Sequence, residues 1–136
     1  MTRIKEKLQQ IREFLAQFRG IRPKSLEEYS TNIEKKAACE RFVEKIVEGT
    51  VDVAFLVIKR KRFEIPEDDI DAFTILLDNH IIDRTLAQRL KQAKGMRNII
   101  VHEYGKIDDS IIFRSITDEL EKDVRSFLKR IEQLGL

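Results

Sequence analysis

The sequence predicts a single all-α domain, an up-and-down helical bundle of four long helices and one short one, and three observations predict it. Apolar residues recur at steps of three and four along most of the chain, the spacing of one buried helix face. Glycine and proline are scarce, at five and two in 136 residues, too few for a turn-rich β architecture. Alanine, leucine, isoleucine, lysine and glutamate dominate, and most of these are strong helix formers. The length suits one hydrophobic core, so residues 1–136 read as one domain, without internal repeat, low-complexity tract or linker.

The first helix carries the stripe Ile4, Leu8, Ile11, Leu15, Phe18, and Gly20 and Pro23 break it. Ser25-Leu26-Glu27-Glu28 fits a capping box, in which Ser25 and Glu28 each satisfy an exposed backbone donor. A long second helix is expected from about Asn32 to about Arg62. Its stretch Val51 to Ile58 is nearly all apolar and read alone resembles a buried strand. The preceding Ala37, Ala38, Phe42, Val43, Ile46 and Val47 carry helical spacing into it, so helix is preferred. Gly49 costs that helix about 1 kcal/mol relative to alanine, which points to close packing there.

Pro66 stops this element, and Glu67, Asp68 and Asp69 suit the positive end of a short third helix through Phe73 and Leu77. Asp83 is placed to cap a fourth helix with Leu86, Leu90, Ala93 and Met96 inward. Gly105 is a natural stop beyond it. Asp108 or Asp109 caps the last helix, whose stripe is Ile112, Ile116, Leu120, Val124, Phe127, Ile131 and Leu134.

Charge narrows the function classes. With 26 basic and 24 acidic side chains the net charge is only +2, so any nucleic-acid contact depends on a local patch. Cys39 is the only cysteine, which excludes an intrachain disulfide. The first seven residues are charged and lack a signal-peptide core, and the longest apolar run, Val53 to Ile58, falls far short of the ~20 residues of a membrane span. A cytoplasmic protein is expected.

One segment is chemically loaded: Arg97-Asn98-Ile99-Ile100-Val101-His102-Glu103-Tyr104. Its apolar residues are expected to anchor the backbone in the core, holding Arg97, Asn98, His102 and Tyr104 in place. Arginine offers a planar, permanently charged fork that matches a phosphate. Histidine, with an ordinary pKa near ~6.5, takes and returns a proton at neutral pH. Together they form a minimal kit for cleaving an RNA phosphodiester without metal. At about 100° per residue, Arg97 and Tyr104 share a side of a regular helix, as do Asn98 and His102, while His102 sits well round from Arg97. All four converge only if the helix unwinds near His102 or a second subunit contributes. Taken alone, an Arg-x4-His match arises by chance in charged helical proteins, and a surface arginine with a satisfied core histidine explains it better.

Other clusters carry less. Lys59-Arg60-Lys61-Arg62 reads as a solvated helix end that complements the helix dipole, with RNA contact the lesser alternative. His80 reads as a capping or surface residue, and nothing stands at zinc-ligand spacing from it. Glu48 and Asp52, four apart, either orient Arg97 from a neighbouring helix or pair with Lys45 and Lys59. No phosphate-cradling glycine loop and no serine-nucleophile elbow is present.

The wider pattern Arg97-Asn98-x3-His102-x-Tyr104, followed by an acidic-capped helix, resembles the signature of HepT-type toxins of the HEPN superfamily. Glu40-Arg41-x6-Glu48-x3-Asp52 resembles that family's second helix, and Ser25-Leu26-Glu27-Glu28-Tyr29, Ile65-Pro66 and Asp71-Ala72-Phe73 resemble its connecting segments. The likeness covers nearly the whole chain. It implies a homodimeric four-helix-bundle ribonuclease acting on RNA without metal or other cofactor, its two motifs meeting in a cleft between subunits. It further implies a minimal nucleotidyltransferase antitoxin that transfers AMP to the motif tyrosine. By position, Arg97 and His102 are then catalytic, Asn98 supporting and Tyr104 the modified side chain. The alternative is a non-catalytic helical module that binds nucleotide or partner within a nucleotidyltransferase complex.

Overall fold

A computed structural model describes residues 2–102 and 108–136. Seven α-helices and one π-helical turn make up the described residues: α1 (Arg3–Ile21), α2 (Leu26–Thr31), α3 (Ile33–Lys61), α4 (Asp69–Asp78), α5 (Arg84–His102), α6 (Asp109–Arg114), the π turn Ser115–Glu119, and α7 (Leu120–Glu132). The all-α bundle expected from the periodicity is what forms. No helix among the described residues is long and apolar enough to cross a membrane.

Short polar side chains start most of these helices by accepting from an otherwise unpaired backbone N–H. Thr2 caps α1, Asn32 caps α3 and Asp68 caps α4 in this way. Asp83 Oδ1 accepts from Leu86 N at 2.8 Å at the start of α5. Of the two candidates for the last helix it is Asp108, which accepts from the Ser110 backbone at 2.9 Å.

Two local expectations are revised. Ser25 accepts from Glu28 N at 3.1 Å, but Glu28 does not complete the capping box, because its carboxylate is paired with Lys35. The turn it begins is a separate six-residue helix, α2, ended at Asn32, whose side chain then starts α3. The last helix is not regular either. Ile112, Ile116, Leu120 and Val124 are all buried although each step is four residues. At about 100° per residue, three such steps drift by roughly 120°, enough to carry the stripe off the core. The π turn, a wider local winding, absorbs that drift.

The core sits where α1, α3, α5 and α7 face one another, with α4 closing one side. α3 is buried on most of its circumference in its second half, where Val51, Val53, Ala54, Val57 and Ile58 are all inaccessible. The strand-like composition of that stretch thus reflects helix burial. Gly49 lies against Ile11 of α1: a Cβ there would stand 2.9 Å from Ile11 Cγ1. The packing anticipated at Gly49 is present. Phe73 meets Phe127 edge-on at 6.3 Å between centroids, and buried Tyr29 packs on Phe113 at 6.0 Å, tying α2 to α6.

Candidate functional site

Residues 97–102 of the loaded segment form the last turns of α5, where the helix runs unbroken through His102. Glu103, Tyr104 and Gly105 lie outside the described residues. The apolar residues do not act as one anchor. Ile100 is buried, whereas Ile99 and Val101 are 42% and 39% exposed. Three consecutive helical residues point in directions about 100° apart, so only one of them reaches the core.

Ile100 turns Arg97 toward α3. The Arg97 side chain is 17% exposed, with Nε 3.0 Å from Glu48 Oε1 and Nη2 3.9 Å from Glu44 Oε1. The Nε contact is electrostatic, since the atom is buried and not aligned for a hydrogen bond. Nη1 donates to Asn98 Oδ1 at 3.3 Å, so Asn98 does stand beside Arg97. Of the two acids weighed from the sequence, Glu48 reaches Arg97. Asp52 does not: it pairs with Lys7 of α1 at 3.3 Å.

His102 is exposed in the last turn of α5 and has no hydrogen bond or ion pair among the described residues. It stands five positions after Arg97, roughly 140° around the helix and about 7.5 Å along it. No bond joins the two within this chain, and the helix does not unwind at His102 to bring them together.

Two residues of the cluster escaped the sequence reading. Lys94, one turn before Arg97, is buried with its ammonium 2.7 Å from Glu48 Oε1 and 3.0 Å from Asp69 Oδ2. Glu44, one turn before Glu48 on α3, faces the outer edge of Arg97. The available signal was spacing: 94 and 97 share a face of α5, as 44 and 48 share one of α3. Beyond Glu44, a cleft of about 340 Å³ lies between α3 and α5, lined by Ala37, Glu40, Arg41, Glu44, Ile100 and Val101. Glu40 is 8% exposed, its Oε1 has no hydrogen-bond partner among the described residues, and burial raises its carboxyl above the ordinary range.

Residues 4–131 match the family described as Ribonuclease HepT-like. The chain belongs to the HepT-like ribonuclease family. Within the family it is 30% identical over 90 residues to the mRNA nuclease HepT of Shewanella oneidensis, covering 66% of this chain and 67% of that protein. It is 24% identical over 136 residues to the tRNA nuclease HepT of Aphanizomenon flos-aquae, covering 96% of this chain and 92% of that one. The fold is similar to that of a tri-AMPylated Shewanella oneidensis HEPN toxin solved in complex with an MNT antitoxin. That superposition has a TM-score of 0.89 at 23% identity, over 98% of this chain and 99% of the other.

The remaining motifs match their plainer readings. Lys59 to Arg62 form the exposed end of α3, closed by Arg62 in the left-handed conformation at φ 61°. His80 is an exposed turn residue, also left-handed. Among the described residues no group of three or more His, Cys, Asp or Glu is placed to hold a metal ion.

Proposed function

We propose that this HepT-like ribonuclease is the toxin of a toxin–antitoxin pair and cleaves RNA as a homodimer through Arg97 and His102. The observation that carries this reading is a guanidinium held against α3 carboxylates, followed on the same helix by an exposed imidazole with no partner among the described residues. His102 takes the proton from a ribose 2′-hydroxyl, whose oxygen attacks the adjacent phosphorus. Arg97 stabilises the charge that builds on the phosphoryl oxygens, with Asn98 steadying one edge of its fork. The 5′-oxygen leaves and takes a proton from water, and His102 gives its own proton back to solvent, so the products are a 2′,3′-cyclic phosphate and a 5′-hydroxyl end. None of these steps calls for a metal.

Within one chain the two groups point apart, so the reaction is assigned to a cleft between two copies, His102 of one serving with Arg97 of the other. Exposed apolar residues favour this. Val101, one residue before the end of α5, lies beside Ala37 and Glu40 of α3, and Lys36 of α3 pairs with Asp109 of α6. Exposed Ile33, Ile99, Val101 and Ile111 lie on segments at this same end of the bundle, an end suited to a second copy.

Tyr104 is assigned as the residue silenced by AMP transfer from a minimal nucleotidyltransferase antitoxin. An added AMP brings negative charge and bulk where an RNA phosphate must sit. The relatives' names agree with an RNA substrate, and the solved toxin–antitoxin complex agrees with such a partner. The test is cleavage of several RNAs by purified protein in excess chelator. His102→Ala should lose about 10²–10⁴-fold in rate. Equal inertness of wild type and variant on every RNA would leave a non-catalytic binding module. For the silencing step, co-expression with the nucleotidyltransferase should add AMP mass to wild type and none to Tyr104→Phe. Mass retained in that variant would remove Tyr104 from the scheme.

A further inference from the structure

A lysine side chain that is 7% exposed needs close counter-charges, and Lys94 has two. Its ammonium donates to Glu48 Oε1 at 2.7 Å and lies 3.0 Å from Asp69 Oδ2, joining α3, α4 and α5. The same Glu48 oxygen is the one that stands 3.0 Å from Arg97 Nε without hydrogen-bond alignment. Glu48 is thus shared between two cations, and Lys94 has the better bond.

The sharing has a consequence for the guanidinium. A carboxylate alone beside an arginine at this depth closes on it as a two-pronged fork, neutralising it and occupying its nitrogens. Here the carboxylate touches only the inner edge. The outer nitrogens keep weak contacts, Nη1 at 3.3 Å from Asn98 Oδ1 and Nη2 at 3.9 Å from Glu44 Oε1. Arg41 Nη1 stands 3.3 Å from the same Glu44 oxygen, so the cluster of Arg41, Lys94 and Arg97 with Glu44, Glu48 and Asp69 holds three positive and three negative charges and is neutral. Removing Lys94 leaves a net charge of −1 at the place where an anion must bind.

We propose that Lys94 and Glu48 are a positioning pair for Arg97: Glu48 fixes the plane of the guanidinium, and Lys94 restrains Glu48 from closing on it, which keeps the outer nitrogens free for a phosphate. The inference rests on the reading of Arg97 as the phosphate-binding group. Both residues act through Arg97 and neither touches the reacting atoms.

Steady-state cleavage of a fluorogenic RNA oligonucleotide by four proteins of residues 1–136 tests it, with thermal melts confirming the fold. Lys94→Met releases Glu48 onto Arg97 and should raise KM about tenfold. Glu48→Gln loosens the guanidinium and should lower kcat about tenfold with KM within about twofold of wild type. In the double variant the capturing carboxylate is gone, so KM should return to within about twofold of wild type while kcat stays low. A purely structural role predicts no such split, only a smaller active fraction and no recovery in the double variant. An unchanged KM in folded Lys94→Met, or a double variant no better than Lys94→Met, overturns the pair. If Lys94→Met does not fold, Glu48→Gln decides, because Lys94 there keeps Asp69; an unchanged kcat overturns the proposal. An RNA-inert wild type would remove the ribonuclease reading and this inference with it, whereas an active wild type with unaltered variants removes the inference alone.

Discussion

Replacing Gly49 with alanine adds one methyl group at the closest approach of α1 and α3. The new Cβ would lie 2.9 Å from Ile11 Cγ1 and 3.4 Å from its Cδ1, against an optimum of about 3.5–4.0 Å for carbon pairs. Ile11 is completely buried, and Cγ1 is close to its backbone, so relief requires an unfavourable rotamer or a separation of the two helices. Overpacking of this kind costs about 1–3 kcal/mol. Alanine returns about 1 kcal/mol through its higher helix propensity. The net expectation is a loss of about 1 kcal/mol and a melting temperature lower by roughly 3–5 °C. Denaturant titration and thermal melts measure both. A double-mutant cycle sharpens the test. Ile11→Ala alone should cost about 2–5 kcal/mol. Together the two changes should cost less than their sum by roughly 1–3 kcal/mol, because the alanine methyl occupies vacated space. A Gly49→Ala protein that melts above wild type, with additive costs in the cycle, would refute the account of the α1–α3 contact.

Three further outcomes are expected. Burial raises the Glu40 carboxyl above its ordinary range, so the folded state holds that proton to higher pH than the unfolded chain. Stability from this group therefore falls as pH rises from the ordinary carboxylate value through the raised one. Glu40→Gln should accordingly melt higher than wild type at neutral pH, with the gap closing in acid, and a gap constant with pH would contradict the cause. Burial chiefly, with the neighbouring Glu40 charge, pushes the Cys39 thiol up to about 11. A maleimide should leave the native protein unlabelled at neutral pH and take one equivalent after unfolding, as followed by intact mass. Finally, Val101→Glu should give a monomer by sedimentation with little RNA cleavage, whereas an active monomer would remove the shared cleft.

Most of the fold was legible because each long helix buries one continuous stripe. Ile4 to Phe18 and Ile112 to Ile131 are inaccessible at the positions their spacing named. The cap at Asp83, and the cap of the last helix to within Asp108 or Asp109, were legible because a short acceptor at a helix start satisfies a donor whatever the tertiary context. α2 was not legible as a helix of its own, since six residues give too few steps for a period to show. At the site, the motif named Arg97 and Asn98, which the structure places side by side, but not their surroundings. Lysine is ordinarily a surface residue, and nothing local marks Lys94 as buried; its depth follows from Glu48 and Asp69 arriving from two other helices. Glu48 and Asp52 were indistinguishable by spacing. Their separation rests on Lys7 of α1, a residue 45 positions from Asp52 in sequence, which claims the second carboxylate.

The π turn of residues 115–119 can be viewed as a frameshift written into a coil. Closing up the numbering by one residue there turns the core-facing steps of the last helices from 4, 4, 4, 3, 4, 3 into 4, 3, 4, 3, 4, 3, the cadence of an ordinary amphipathic helix. The terminal element thus has the geometry of a regular helix with one extra amino acid, accommodated because the backbone takes up the slack locally. Shortened relatives lacking that residue would seat the same side chains, and Thr117, whose hydroxyl donates to the Phe113 carbonyl at 2.8 Å, marks where the extra length is stored.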